Sequence, residues 1–151
     1  MRPLDNVTVL DFSTLLPGPL AGLLLARAGA RVIKIERPTI GDEMRSYEPK
    51  FGNFSVNFAL LNEDKESIEI DLKSKDARDL LMPLIEKADV LIEQFRPGVM
   101  DRLGLGYEEL KRVNPALIYL HIEAYWEKAI QGAIILLAVI ADGLRTRREL
   151  R

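Results

Sequence analysis

The order of apolar runs and turns predicts an α/β domain, a layered and mostly parallel sheet flanked by helices. Three observations lead there. Short runs dense in Val, Ile and Leu recur at residues 7–12, 31–36, 67–72, 89–94 and 116–122, as strands of a buried sheet do. Stretches of helix-forming composition alternate with them. The first run, the helix after it and the second run make a βαβ unit, which pairs in parallel through a right-handed crossover. The 151 residues suit one domain, residues 1–151, whose core needs neither disulfide nor metal.

Residues 7–12 have the density of an interior strand, and the turn and helix that follow read STLLPGPLAGLLLARAG. Pro17 and Pro19 pin the turn, and Gly29 can end the helix in a left-handed conformation. The dinucleotide fingerprint G-x-G-x-x-G is absent, with only Gly18 and Gly22 present, so no nicotinamide or flavin dinucleotide is expected. Residues 32–38, VIKIERP, are the organising stretch: a buried parallel strand whose carboxyl end opens on a site. Lys34 is its one polar interruption. Glu36, Arg37 and Pro38 stand where the strand stops, and Arg37 is suited to a phosphate or to the face of a base. On residue type alone, a solvated strand end has the stronger case.

Residues 39–52 are rich in Gly, Pro and charge and are expected to form a functional or solvent-exposed loop. A short helix over 53–61 follows. Residues 67–72, SIEIDL, alternate as a half-exposed strand does, with Lys73 at its carboxyl end. Ser74 is a candidate cap for a helix to about residue 88, with Asp76 near its positive end and Pro83 expected to kink or divide it. The run DVLIEQ at 89–94 predicts another buried strand, then the turn FRPG and a small helix with Asp101 and Arg102. A helix over 107–113 ends at Asn114-Pro115, and 116–122 is the last strand. His121 within it lacks a recognisable partner and is expected to be a packed strand residue. Residues 123–148 are expected to be helical.

Composition excludes several functions. Hydrophobic residues at 48% and charged residues at 29% are those of a soluble globular protein. A net charge of −2 argues against a general nucleic-acid binder while leaving room for a local basic patch. The absence of Cys removes thiol chemistry and suits a cytoplasmic setting. A single His argues against a histidine metal site. The amino terminus lacks the apolar core of a signal peptide. The longest uncharged run, residues 129–141, is shorter than the roughly 18 residues of a membrane span, so no membrane association is expected.

Arg37, Lys73, Arg96 and Arg102 all follow strands or lie in the turns beyond them. They could converge at one sheet edge on a ligand bearing several phosphates. Scattered surface cations balanced by Glu and Asp fit the composition equally well.

Taken in order, PLDNVTVLDFSTLLPGPLAG, GARVIKIERPTIGDEMR, KESIEIDLK, ADVLIEQFRPGVMDRLGLGYEEL and NPALIY resemble the amino-terminal part of the family III CoA-transferases. That group includes formyl-CoA transferase, the carnitine CoA-transferases and the α-methylacyl-CoA racemases. The resemblance covers residues 3–120 and rests on five ordered motifs. It implies a three-layer Rossmann-like domain and, as ligand, CoA or an acyl-CoA, with no tightly bound cofactor. Matched motif by motif, it places Arg37 at the nucleotide end of CoA, with Leu16 and Pro17 in a turn whose backbone borders CoA. Ile70, Asp71, Leu72 and Lys73 resemble the lining segment. Gln94, Phe95 and Arg96 match a turn packed along the ligand, and Arg102 a further CoA-binding arginine.

After Tyr119 the resemblance stops. The family continues into a glycine-rich turn and a segment with the catalytic aspartate and, in racemases, a catalytic histidine. Here residues 121–151 run from the last strand almost directly towards a helix. This implies a chain shortened internally and truncated, as an engineered domain or a gene remnant would be, with no catalytic residue assigned. Three functions follow: a CoA-binding module without catalysis, a minimised structural domain with no ligand, or a small active CoA-transferase or racemase. The family's interlocked dimer needs parts this sequence lacks, so a monomer or simple homodimer is expected.

Overall fold

The structure, a computed structural model, describes residues 1–123. The helix expected over 123–148 lies beyond them, apart from its first residue. The first unit is β1 (Thr8–Asp11), α1 (Pro17–Arg27) and β2 (Arg31–Glu36). A single 3-10 turn, Glu43–Ser46, precedes a two-stranded hairpin, β3 (Lys50–Phe51) with β4 (Phe54–Ser55), and α2 (Val56–Leu61). Then come β5 (Glu66–Glu69), α3 (Ala77–Ile85), β6 (Val90–Glu93), α4 (Val99–Arg102), α5 (Tyr107–Val113) and β7 (Ile118–His121).

Five strands form one sheet in the order β5-β2-β1-β6-β7, every neighbouring pair parallel. The chain steps outward from β1 to β5, then returns to the other side of β1 at β6. In open α/β sheets this reversal leaves a crevice at the carboxyl ends of the strands, where ligands bind.

Period-two alternation sends side chains to two faces. Leu10, Ile33, Ile35 and Leu91 pack with Leu81, Ile85 and Leu110 from α3 and α5. Val9, Val32 and Ile92 pack on the opposite face with Ala26 from α1. The central strands are covered on both sides, which explains their unbroken apolar runs, whereas β5 and β7 are edges.

Several local expectations shift. The strand expected over 67–72 leaves the sheet early. The Ile70 amide still donates to Glu36 O at 2.9 Å, but an Asp71 turn, with the Lys73 amide on Asp71 Oδ1 at 3.0 Å, carries the chain away. Ser74 does not cap α3, because a turn intervenes and Asp76 takes the cap position. Pro83 neither ends nor divides α3. Asp79, whose carbonyl loses its i→i+4 donor there, is exposed and open to water. The loop at 39–52 is partly interior, with Asp42 and Met44 buried. His121 is not a packed core residue: it lies exposed on the edge strand β7, with its ring bonded to Glu93. Among the described residues no helix is long and apolar enough to cross a membrane.

Candidate functional site

The site is built where β1, β2, β5 and β6 end. The turn leaving β1 is held by side chains from three other segments. Lys34 Nζ donates to Ser13 O at 2.7 Å. Gln94 Nε2 donates to Thr14 O at 2.7 Å, and Gln94 Oε1 accepts from the Gly18 amide at 3.3 Å. Asp42 Oδ1 accepts from the Leu15 amide at 3.2 Å, where Leu15 has φ +62°, a left-handed conformation a non-glycine residue adopts only when its surroundings hold it there. Gly18 is required for the same packing, since a Cβ there would lie 2.1 Å from Ser13 Cβ.

Behind this turn runs a chain of buried charges. Lys34 and Asp42 side chains are each 1% exposed, with Nζ 3.0 Å from Oδ2. This contact is an ion pair without hydrogen-bond geometry, so among the described residues Asp42 Oδ2 has no hydrogen-bonding partner. Asp42 Oδ1 also caps the 3-10 turn by accepting from the Met44 amide at 2.9 Å. Lys65 reaches Asp11 Oδ2 at 2.9 Å and Pro19 O at 2.8 Å. Burial pushes the Lys65 amine below its ordinary value, against the opposing pull of Asp11. Asp11 is bonded in turn by the Ser13 amide and hydroxyl. Glu36 receives Arg45 in bidentate fashion at 2.9 and 2.5 Å, and the Asp42 amide at 2.9 Å. Burial pushes the Glu36 carboxyl up, but bonds from Arg45, Ser67 and the Asp42 amide outweigh it and hold it down at about 2.

Lys34, Glu36 and Asp42 of this chain form the rear of a cavity of about 290 Å³ at the carboxyl edge of the sheet, at the small end of the range for small-molecule sites. Phe12, Ile35, Ile70, Leu72, Phe95 and Leu103 make its surface mainly apolar, and Arg37 and Lys73 bring two exposed cations. Arg37 is 55% exposed and meets Glu43 at 3.5 Å. Of the residues singled out by sequence, Arg37, Ile70, Asp71, Leu72, Lys73 and Phe95 thus come together here. Gln94 acts one step back, on the β1 turn. Arg96 lines a separate cavity with Glu93 and His121. Leu16 is exposed and Pro17 opens α1; neither they nor Arg102 on α4 line either cavity. Four cations therefore do not converge on one pocket; two do.

Sequence reasoning missed Asp42, Glu36 as a structural anchor, and Lys65. The signal available was Lys34 itself, since a lysine inside an apolar strand needs an interior acid. Among the described residues no group of three His, Cys, Asp or Glu side chains could hold a metal ion.

The sequence matches the family model of CoA-transferase family III over residues 4–132, running past Tyr119, where the recognisable motifs end. It is 49% identical to the acetyl-CoA:oxalate CoA-transferase of Acetobacter aceti, over 78% of this chain and 30% of that protein. The succinyl-CoA–D-citramalate CoA-transferase of Chloroflexus aurantiacus is 40% identical, over 82% and 31%. The crystal structure of Rv3272 from M. tuberculosis superposes with a TM-score of 0.77 at 40% identity, over 82% of this chain and 35% of that one. The chain thus spans about 30% of the length of the curated relatives it matches. With the parallel five-stranded sheet and its crevice already in view, these matches establish that the chain belongs to CoA-transferase family III and corresponds to the amino-terminal, Rossmann-like part of that family.

Proposed function

We propose that this chain is a CoA-binding module whose cavity at the ends of β2 and β5 takes the nucleotide part of CoA or an acyl-CoA. The observation that carries the reading is the pairing of two exposed cations, Arg37 and Lys73, with the apolar side chains of Ile70, Leu72 and Phe95 around one cavity. A nucleotide asks for that combination: an apolar slot for the base and cations for its phosphates. The residues fit the group. Among the described residues Arg37 has one weak acidic neighbour, Glu43, and can turn its guanidinium to a phosphate or lay it over a base. The backbone of residues 70–73 offers an edge along the base, while Gln94 fixes the turn beside it. Leu16, Pro17, Arg96 and Arg102, outside this cavity, would meet the more distant parts of a ligand as long as CoA.

Transfer of CoA between acids is not expected of this chain. Such transfer needs a carboxylate placed against the thioester. None of the side-chain carboxylates that follow β7 in sequence, Glu123, Glu127, Asp142 and Glu149, lies in a motif matching the family's catalytic aspartate.

Calorimetric titration with CoA tests the binding reading. Arg37→Ala and Lys73→Ala should each weaken binding by about 10- to 100-fold, the equivalent of about 1.5–3 kcal/mol for a charge-assisted contact. Arg27→Ala, at an exposed pair with Glu63 on α1, should leave it unchanged. No saturable binding at millimolar CoA would remove the reading, and equal losses in all three variants would reduce it to nonspecific attraction.

A further inference from the structure

The carboxyl ends of β6 and β7 carry a second cluster of ionisable side chains, which the CoA-binding reading leaves unused. Register sets Glu93 opposite His121, and His121 Nδ1 lies 2.6 Å from Glu93 Oε1. Glu93 is buried, its side chain 6% exposed, while His121 is 36% exposed. The other carboxylate oxygen accepts from the Phe95 amide at 2.8 Å, and Tyr119 lies close enough to feel the charge of Glu93. Two groups, the Phe95 amide and His121 Nδ1, thus meet one buried carboxylate; facing an acceptor, Nδ1 is the ring nitrogen that donates, and Nε2 is the one not engaged with Glu93. Burial, then Glu93, pushes the Tyr119 hydroxyl far above its ordinary value, which keeps it a donor.

His121 lines a cavity of about 340 Å³ together with Glu93, Arg96, Asp101, Tyr119 and Glu123. A carboxylate that fixes the tautomer and orientation of a histidine, leaving its second nitrogen for a cavity, is the arrangement of a general base and its positioning residue. This cavity shares a wall with the first. Phe95, Val99 and Leu103 line the β2 cavity, and Arg96, Pro97, Gly98 and Met100 from the same segment line this one. A CoA thioester is a nucleotide with a long flexible arm ending in a reactive carbonyl, two parts suited to two adjoining cavities.

We propose that His121, positioned by Glu93, activates water against a CoA thioester, so that the chain hydrolyses acyl-CoA; the assignment of CoA rests on the reading above. The oxygen of water bonds to the thioester carbonyl carbon as its proton passes to His121 Nε2. The tetrahedral intermediate then collapses, the C–S bond breaks, and the leaving sulfur takes the proton back from Nε2. The products are a carboxylic acid and CoA thiol, with His121 restored. A thiolate, whose acid has a pKa of about 8.5, leaves readily, so a single base suffices where transfer between acids needs a carboxylate nucleophile.

The test follows thiol release from acetyl-CoA with a chromogenic thiol reagent; the chain has no Cys to contribute background. The same proteins are given p-nitrophenyl acetate, which needs no CoA site, and are titrated calorimetrically with CoA. His121→Asn keeps an N–H for Glu93 and removes the base, at a strand edge where folding tolerates it. It should lower both hydrolysis rates by about 100-fold with CoA affinity unchanged. Glu93→Gln, with folding checked by its thermal melt, should lower the rates without changing CoA affinity, as expected of a positioning residue. Added imidazole should restore part of the rate to His121→Gly. Equal rates in the native protein and His121→Asn on both substrates would overturn the proposal while CoA binding could still stand. A His121-dependent rate on p-nitrophenyl acetate without CoA binding would overturn the thioester assignment and the CoA-binding reading together, leaving only a general base.

Discussion

Replacing Asp42 by Asn isolates the interior ion pair with the least change in shape. The amide oxygen can keep the bonds from the Met44 and Leu15 amides, at 2.9 and 3.2 Å, while the atom facing Lys34 Nζ at 3.0 Å loses its charge. At that separation two unit charges attract by about 5.5 kcal/mol for an effective dielectric constant of about 20. Among the described residues, Lys34, 1% exposed, would retain only Ser13 O as a partner. Breaking a buried pair on one side costs about 3–5 kcal/mol. With a urea slope of about 2 kcal/mol/M, the unfolding midpoint should fall by about 2 M. Lys34→Met should be similarly harmful alone, yet the double variant Lys34→Met with Asp42→Asn should recover at least about 2 kcal/mol of the summed loss, because neither charge is then left alone. Urea titrations of all four proteins, followed by circular dichroism, measure this coupling. A shift below about 0.3 M for Asp42→Asn, or strict additivity in the double variant, would refute the pairing as an energetic link between β2 and the loop after it.

Gly18→Ala should destabilise by about 1–3 kcal/mol in thermal melts, because the added methyl meets Ser13 Cβ, which is held against Asp11 and cannot swing aside. Acid should act through Glu36, whose folded value of about 2 lies below its ordinary 4.5. Its contribution is therefore complete above about pH 4.5 and disappears as the pH falls towards 2. Urea midpoints collected from about pH 5 to about pH 3 should fall with acidity in the native protein and fall less steeply in Glu36→Gln; parallel slopes would show that Glu36 is not the group responsible.

The elements read most directly from sequence were those whose signal is local. Residues 31–36 form a strand with the expected ends because five consecutive side chains are buried, and 107–113 form a helix ended by Asn114. Arg37 and Lys73 were placed together because each follows a strand, and parallel strands share one carboxyl edge. What could not be read depends on pairs remote in sequence. Lys34 finds Asp42 inside a loop that composition marks as solvated, and Lys65 crosses to Asp11 beneath α1, where Gly22 leaves room. Sheet order sets His121 beside Glu93, and nothing along the chain announces that β6 and β7 are neighbours in that register. Arg102, on α4, does not line the cavity with Arg37, and a helix of one turn has no periodicity from which its facing could be read.

The sequestered lysines also give the fold a clock. Lys34 and Lys65 are each 1% exposed and tied by their ammonium groups, whereas Lys73, on the lining of the cavity that Lys34 backs, is exposed to solvent. An amine-directed acylating reagent would therefore mark Lys73 at once and the other two only during moments when the β2 loop or the β1 turn lifts. The delay between those events reads out local opening at the site, separately from global unfolding, and its lengthening on addition of a ligand would register occupancy without any catalytic turnover.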